Sequence, residues 1–144
     1  MSENTDISGY VYEDGELNDS HGYLLPALQS ELARRCGEKR LFDLGCGNGS
    51  IGASVSRNGW DVTGVDVSSD GISYANRVHP ELKLEIGSAY DDLAGRYGTF
   101  PVVVSLEVVE HLYDPRTYAR VIFDLLEPGG TAIVSTPYHG YLKN

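Results

Sequence analysis

The run Leu41-Phe42-Asp43-Leu44-Gly45-Cys46-Gly47-Asn48-Gly49 constrains the fold more than any other stretch of the chain. An apolar segment enters a turn rich in glycine, and Val62-Thr63-Gly64-Val65-Asp66 follows as a second apolar segment that ends in an acid. A strand, a glycine turn, a helix and a second strand closed by an acid build a nucleoside pocket at the carboxyl edge of a parallel sheet. The spacing narrows the ligand. Glycines stand at 45, 47 and 49, and Ser50 occupies the place where a dinucleotide fingerprint has its third glycine. A pyrophosphate-binding turn, and with it a nicotinamide dehydrogenase, is disfavoured.

Glycines in such a turn allow positive φ and let a ligand come close to the backbone. Asp66, within about 20 residues of the turn, is placed to accept hydrogen bonds from both ribose hydroxyls. Asp43 adds a second negative charge beside the turn. That charge repels a phosphorylated cofactor and attracts one carrying an ammonium and a sulfonium. S-adenosylmethionine meets these requirements.

Two further segments extend the pattern. These are Val102-Val103-Val104-Ser105-Leu106-Glu107-Val108-Val109-Glu110-His111 and Leu126-Glu127-Pro128-Gly129-Gly130. With the glycine turn and Asp66, they make the chain resemble a class I S-adenosylmethionine-dependent methyltransferase over roughly residues 20 to 137. The resemblance is to the small-molecule branch that includes ubiquinone-pathway O-methyltransferases. It implies a Rossmann-like, doubly wound α/β fold with a mostly parallel sheet in three layers. It also implies two more strands after strand five, so the resemblance reads this chain as lacking the last two.

Composition sets outer bounds. A length of 144 residues with 41% hydrophobic content suits one compact domain. The expected division is a flexible N-terminal segment over residues 1–20 and a cofactor-binding domain over residues 21–144. A net charge of −10, from 21 acids against 11 bases, argues against a surface that tracks nucleic-acid phosphates or an anionic membrane. No apolar run approaches the roughly 20 residues needed to span a bilayer, and the acidic N-terminus is unlike a secretion signal. Cys36 and Cys46 are too few for a disulfide framework, which makes a reducing cytoplasm the expected location. Tyr10, Tyr12, Tyr23, Tyr138 and Tyr141 cluster toward the two ends and are read as packing residues.

Periodicity and punctuation place the elements. Helices are expected over 24–33, 50–58, from Ser68 or Ser69 to about Val78, over 91–97 and from Pro115 to Leu126. Strands are expected over 40–44, 60–65, 82–86, 100–105 and 130–135. The βαβ alternation implies parallel strands with right-handed crossovers. Strand five would then be an apolar edge open to self-association.

The resemblance assigns roles residue by residue. Asp43, Gly45, Cys46 and Gly47 would line the methionine part of the cofactor, as would Gly49. Asp66 would hold the ribose, with Val67 and Ser68 beside the adenine. Ser88 and Ala89 would meet the adenine edge, although an acid common there is absent. Leu106 and Glu107 would meet the methionine end, and Tyr23, within 21–23, would cover its carboxylate.

If the methyl acceptor is a hydroxyl of a small molecule, His111 is the candidate base and Glu110 its neighbour, because the unperturbed imidazole titrates near neutrality. A packing or capping role for His111 stands as the alternative. Glu107, Glu110 and His111 would share one face if the segment were helical, a pattern that resembles the metal motif of some 2′-O-methyltransferases. The reading preferred here assigns no metal. A different class of function, an incomplete or non-catalytic cofactor-binding domain needing a missing segment or partner, is the alternative to catalysis.

Overall fold

The computed structural model describes residues 19–137. Tyr10, Tyr12, Tyr138, Tyr141 and His139 lie outside the described residues, as does the side chain of His21. The chain runs α1 (Asp19–Ala33), β1 (Arg40–Leu44), α2 (Ser50–Ser56), β2 (Asp61–Asp66), α3 (Ser69–Val78), β3 (Lys83–Ile86), α4 (Leu93–Tyr97), β4 (Phe100–Leu106), a 3₁₀ turn (Val109–His111), α5 (Pro115–Leu125) and β5 (Leu126–Ser135). The strands form one sheet in the order β3-β2-β1-β4-β5. Every pairing is parallel.

Strand alternation explains the layers. In β1, Leu41 packs with Val102 and Val104 against α1, α2 and α3, whereas Phe42 and Leu44 pack with Val103 against α4 and α5. Successive side chains of a strand point to opposite faces, so a central strand covered on both faces must be apolar nearly throughout. Asp43 is the exception. It shares the parity of Leu41 and lies 4% exposed beneath the glycine turn. Each fully buried Leu or Phe here contributes about 1.5–3 kcal/mol relative to an exposed one.

Several element boundaries differ from the expected ones. α1 begins at Asp19, five residues before the expected start, with Pro26 inside it. Proline removes one N–H from the ladder but tolerates helical φ, and Leu28 and Leu32 still anchor the last turns in the core. α4 starts at Leu93 because Asp92 caps it, its carboxylate accepting the Gly95 N–H. β5 starts at Leu126 instead of Gly130. Leu126 pairs with Phe100 and Thr131 with Val102, and the Glu-Pro-Gly-Gly segment between them bulges out, with Gly129 at φ 80°.

The topology locates the site. From β1 the chain proceeds outward through β2 and β3, then crosses to β4 on the other side of β1. The carboxyl ends of β1 and β4 therefore part at a switch point, where ligands bind in sheets of this kind.

Candidate functional site

β1 delivers the glycine turn to that crevice. The N–H groups of Gly45 and Cys46 both donate to the Val65 carbonyl, at 2.9 and 3.0 Å, which locks the turn to β2. Gly45 has φ +86°, and a side chain added there would collide with Val108 from the segment after β4. Positive φ and the close packing of Val108 both call for glycine at this position. Cys46 is buried, and burial pushes its thiol pKa up.

Asp66 closes β2 with a carboxylate held at both oxygens. Oδ2 accepts the Gly47 N–H at 2.9 Å and Oδ1 accepts the Ser68 N–H at 2.9 Å. A carboxylate has about four acceptor positions, so these bonds orient the group and leave each oxygen free to accept again. Two adjacent hydroxyls match that geometry. Val67 beside it is 67% exposed. Ser68 is 6% exposed and turned inward, its hydroxyl oxygen accepting the Gly71 N–H as the cap of α3. Of that pair, Val67 has the exposed side chain.

Asp43 lies behind the turn. Burial raises its pKa from 3.8 to about 7, and the nearby Asp66 charge adds to the rise. Gly64 is the position paired with it in β2, and a side chain there would come within 2.6 Å of the Asp43 carbonyl. Beyond β3, the Gly87 N–H donates to the Asp66 carbonyl at 3.0 Å, and Ser88 accepts the Tyr90 N–H through its hydroxyl. Ala89 packs against the cluster under α4 and α5. The segment that carries Ser88 and Ala89 thus leaves β3 beside the end of β2 that carries Val67.

The carboxyl end of β4 forms the opposite wall. Leu106 packs toward α1–α3. Glu107 has φ 56°, the one non-glycine residue with positive φ among the described residues. Such a conformation is costly and persists where neighbours fix it. Here the Glu107 N–H donates to both the carbonyl and the hydroxyl of Ser135 at 3.0 and 3.1 Å, and Oε1 accepts the Tyr23 hydroxyl at 3.2 Å. α1 is thereby tied to the far end of β4, across 84 residues of chain.

The face that Glu107, Glu110 and His111 would share in a helix does not form, in line with the preferred reading. Glu107 stands outside the 3₁₀ turn in the left-handed region, while Glu110 and His111 lie within the turn. His111 Nε2 sits 3.8 Å from Glu110 Oε1, with about half of the imidazole side chain exposed. Among the described residues, no group of three or more His, Cys, Asp or Glu side chains is gathered to hold a metal ion.

At the carboxyl end of the sheet the structure joins Gly45 and Cys46 to Val65, Gly47 to Asp66 and Tyr23 to Glu107, with Asp43, Val67, Ser88, Ala89 and Leu106 in or close after the ends of its strands. Ser105, Ser135, Val108 and Gly64 also shape that end and were not assigned from sequence. A polar residue ending the apolar run of β4 was the available signal for Ser105.

An acid at the end of β2 oriented by Gly47 and Ser68, beside a glycine turn without the pyrophosphate spacing at the switch point of a parallel sheet, marks a Rossmann-like α/β domain. Residues 18–143 match the family model described as a methyltransferase domain, and the chain belongs to that family, as a class I S-adenosylmethionine-dependent methyltransferase domain. It is 44% identical over 101 residues to the ubiquinone biosynthesis O-methyltransferase of a Caulobacter species, covering 67% of this chain and 40% of that protein. It is 37% identical over 124 residues to the protein of the same name from Ruegeria pomeroyi, covering 79% and 50%. The chain spans about half the length of the curated relatives it matches, or less. Among solved structures, a TehB-like SAM-dependent methyltransferase from Corynebacterium glutamicum superposes with TM-score 0.64 at 27% identity, over 80% of this chain and 68% of that one.

Proposed function

We propose that this chain binds S-adenosylmethionine and serves in methyl transfer to an oxygen of a small molecule. The observation that carries the reading is Asp66, a carboxylate at the end of β2 oriented by the N–H groups of Gly47 and Ser68. The family match and the names of the curated relatives support the reaction class and the oxygen-directed reading.

The chain's own residues divide the work. Asp66 takes the ribose hydroxyls. Val67, Ser68, Ser88 and Ala89 flank the adenine. Gly45, Cys46, Gly47 and Leu106 line the methionine portion, while Asp43 and Glu107 supply negative charge there and Tyr23 covers it. Bound S-adenosylmethionine supplies an electrophilic methyl group on a positively charged sulfur. The protein's contribution to such a displacement is chiefly to align the acceptor and exclude water. His111, whose Nε2 lies 3.8 Å from Glu110 Oε1, takes the proton of the acceptor hydroxyl.

Two further readings belong to the same proposal. One is self-association of this form through β5, supported by its place at the edge of the described sheet and by the exposure of Ala132 and Val134. A monodisperse monomer in light scattering at high concentration would exclude that association. The location is the cytoplasm, consistent with Cys36 and Cys46 as free thiols.

Calorimetry with S-adenosylmethionine and S-adenosylhomocysteine tests the central reading. Asp66→Ala removes charge-assisted hydrogen bonds worth about 1.5–3 kcal/mol, so affinity should fall roughly tenfold or more. Unchanged affinity would refute the assignment.

A further inference from the structure

The peptide unit joining Leu44 to Gly45 is the last of β1 and the first of the glycine turn, and it is held from both sides of the sheet. Its N–H, on Gly45, donates to the Val65 carbonyl of β2 at 2.9 Å. Its C=O, on Leu44, accepts the Ser105 hydroxyl of β4 at 2.8 Å. Paired register between β1 and β4 ends at Asp43 and Val104. A side-chain hydroxyl, not another backbone rung, therefore spans the gap where the two strands part.

Ser105 and Leu44 are each 0% exposed, so water has no access to replace that bond. A buried carbonyl deprived of its donor carries a desolvation penalty, and tilting the peptide is the available relief. Tilting moves Gly45 and everything it leads. Gly47 lies two residues on, and its N–H is one of the two groups that aim the Asp66 carboxylate. A chain of fixed geometry thus runs from the Ser105 hydroxyl through the Leu44–Gly45 peptide to the acid at the end of β2.

We propose that Ser105 is a positioning residue of the cofactor site, whose hydroxyl sets the plane of the Leu44–Gly45 peptide and through it the placement of the glycine turn against Asp66. The inference rests on the reading that this turn binds S-adenosylmethionine. Neither the glycine pattern nor the acid encodes this dependence, because the partner lies 61 residues away on another strand.

The test combines calorimetry with S-adenosylhomocysteine and amide exchange of the ligand-free protein, on wild type, Ser105→Ala and Ser105→Cys. Ser105→Ala should bind roughly tenfold more weakly, the scale of one hydrogen bond lost in a buried site. Its Gly45 and Cys46 amides should exchange faster while those of Val102 and Val103 stay protected. Ser105→Cys keeps the volume with a weaker donor and should fall between. A lowered melting temperature with unchanged affinity and unchanged Gly45 exchange would overturn the proposal and leave Ser105 a packing residue. If Ser105→Ala does not fold, Ser105→Cys decides by the same two readings. Failure of the wild type to bind refutes the functional reading instead, and the Gly45 exchange rate then decides the positioning role alone.

Discussion

Replacing Asp43 by Asn should stabilise the protein at neutral and alkaline pH, and the size of the effect follows from burial. Asp43 is 4% exposed, and burial with the Asp66 charge raises its pKa from 3.8 to about 7. A raised carboxyl pKa means the folded state holds its proton more tightly than the unfolded chain does. Stability is therefore fully present below about pH 4, declines as pH rises toward 7, and stays low above it. At about 1.4 kcal/mol per pH unit, the ionised carboxylate costs the fold about 4 kcal/mol at pH 8. Asn keeps the shape without the charge. Urea unfolding of both proteins between pH 4 and pH 8 isolates the effect, since the other carboxylates cancel in the difference. The difference should be near its minimum at pH 4 and grow by roughly 2–4 kcal/mol by pH 8. A difference that does not change with pH would show that Asp43 is not ionised at a cost, and would refute the reasoning. A cationic ligand draws the Asp43 pKa back down, so S-adenosylmethionine binding near pH 7 should release a proton, detectable by calorimetry in buffers of different ionisation enthalpy.

Gly45→Ala should destabilise the fold by roughly 1–3 kcal/mol through positive φ and collision with Val108, and Val108→Ala should restore part of that loss in the double variant. Full recovery would show that φ strain is negligible there. Titration with magnesium, manganese and zinc should give no tight stoichiometric binding, because Glu107 stands apart from the turn that holds Glu110 and His111. Tight binding lost in His111→Ala would reverse that expectation.

Sequence and structure agree where the determinants are local. The strand–glycine turn–helix run and Asp66 lie close together in the chain, and the capping serine of α3, the proline opening α5 and the parallel β alternation follow from short-range rules. The remainder depends on contacts between distant residues. Ser105 reaches Leu44 across 61 residues and Tyr23 reaches Glu107 across 84, and neither partnership leaves a periodic trace. The shared face that a helix would have given Glu107, Glu110 and His111 is absent, with Glu107 held in a left-handed conformation by bonds to Ser135 and Tyr23, a tertiary effect that helical spacing cannot reveal. The early start of β5 was hidden by Pro128 and Gly129, which look like a turn yet form a bulge within a strand that has already paired at Leu126.

Direct titration of the purified wild-type chain with S-adenosylhomocysteine, set beside NAD under the same conditions, tests the central claim most directly. Saturable one-to-one binding of S-adenosylhomocysteine, with no measurable binding of NAD, is the result expected from a ribose-ready Asp66 and a glycine turn without the pyrophosphate spacing. Preference for the dinucleotide, or no binding of either, would contradict it.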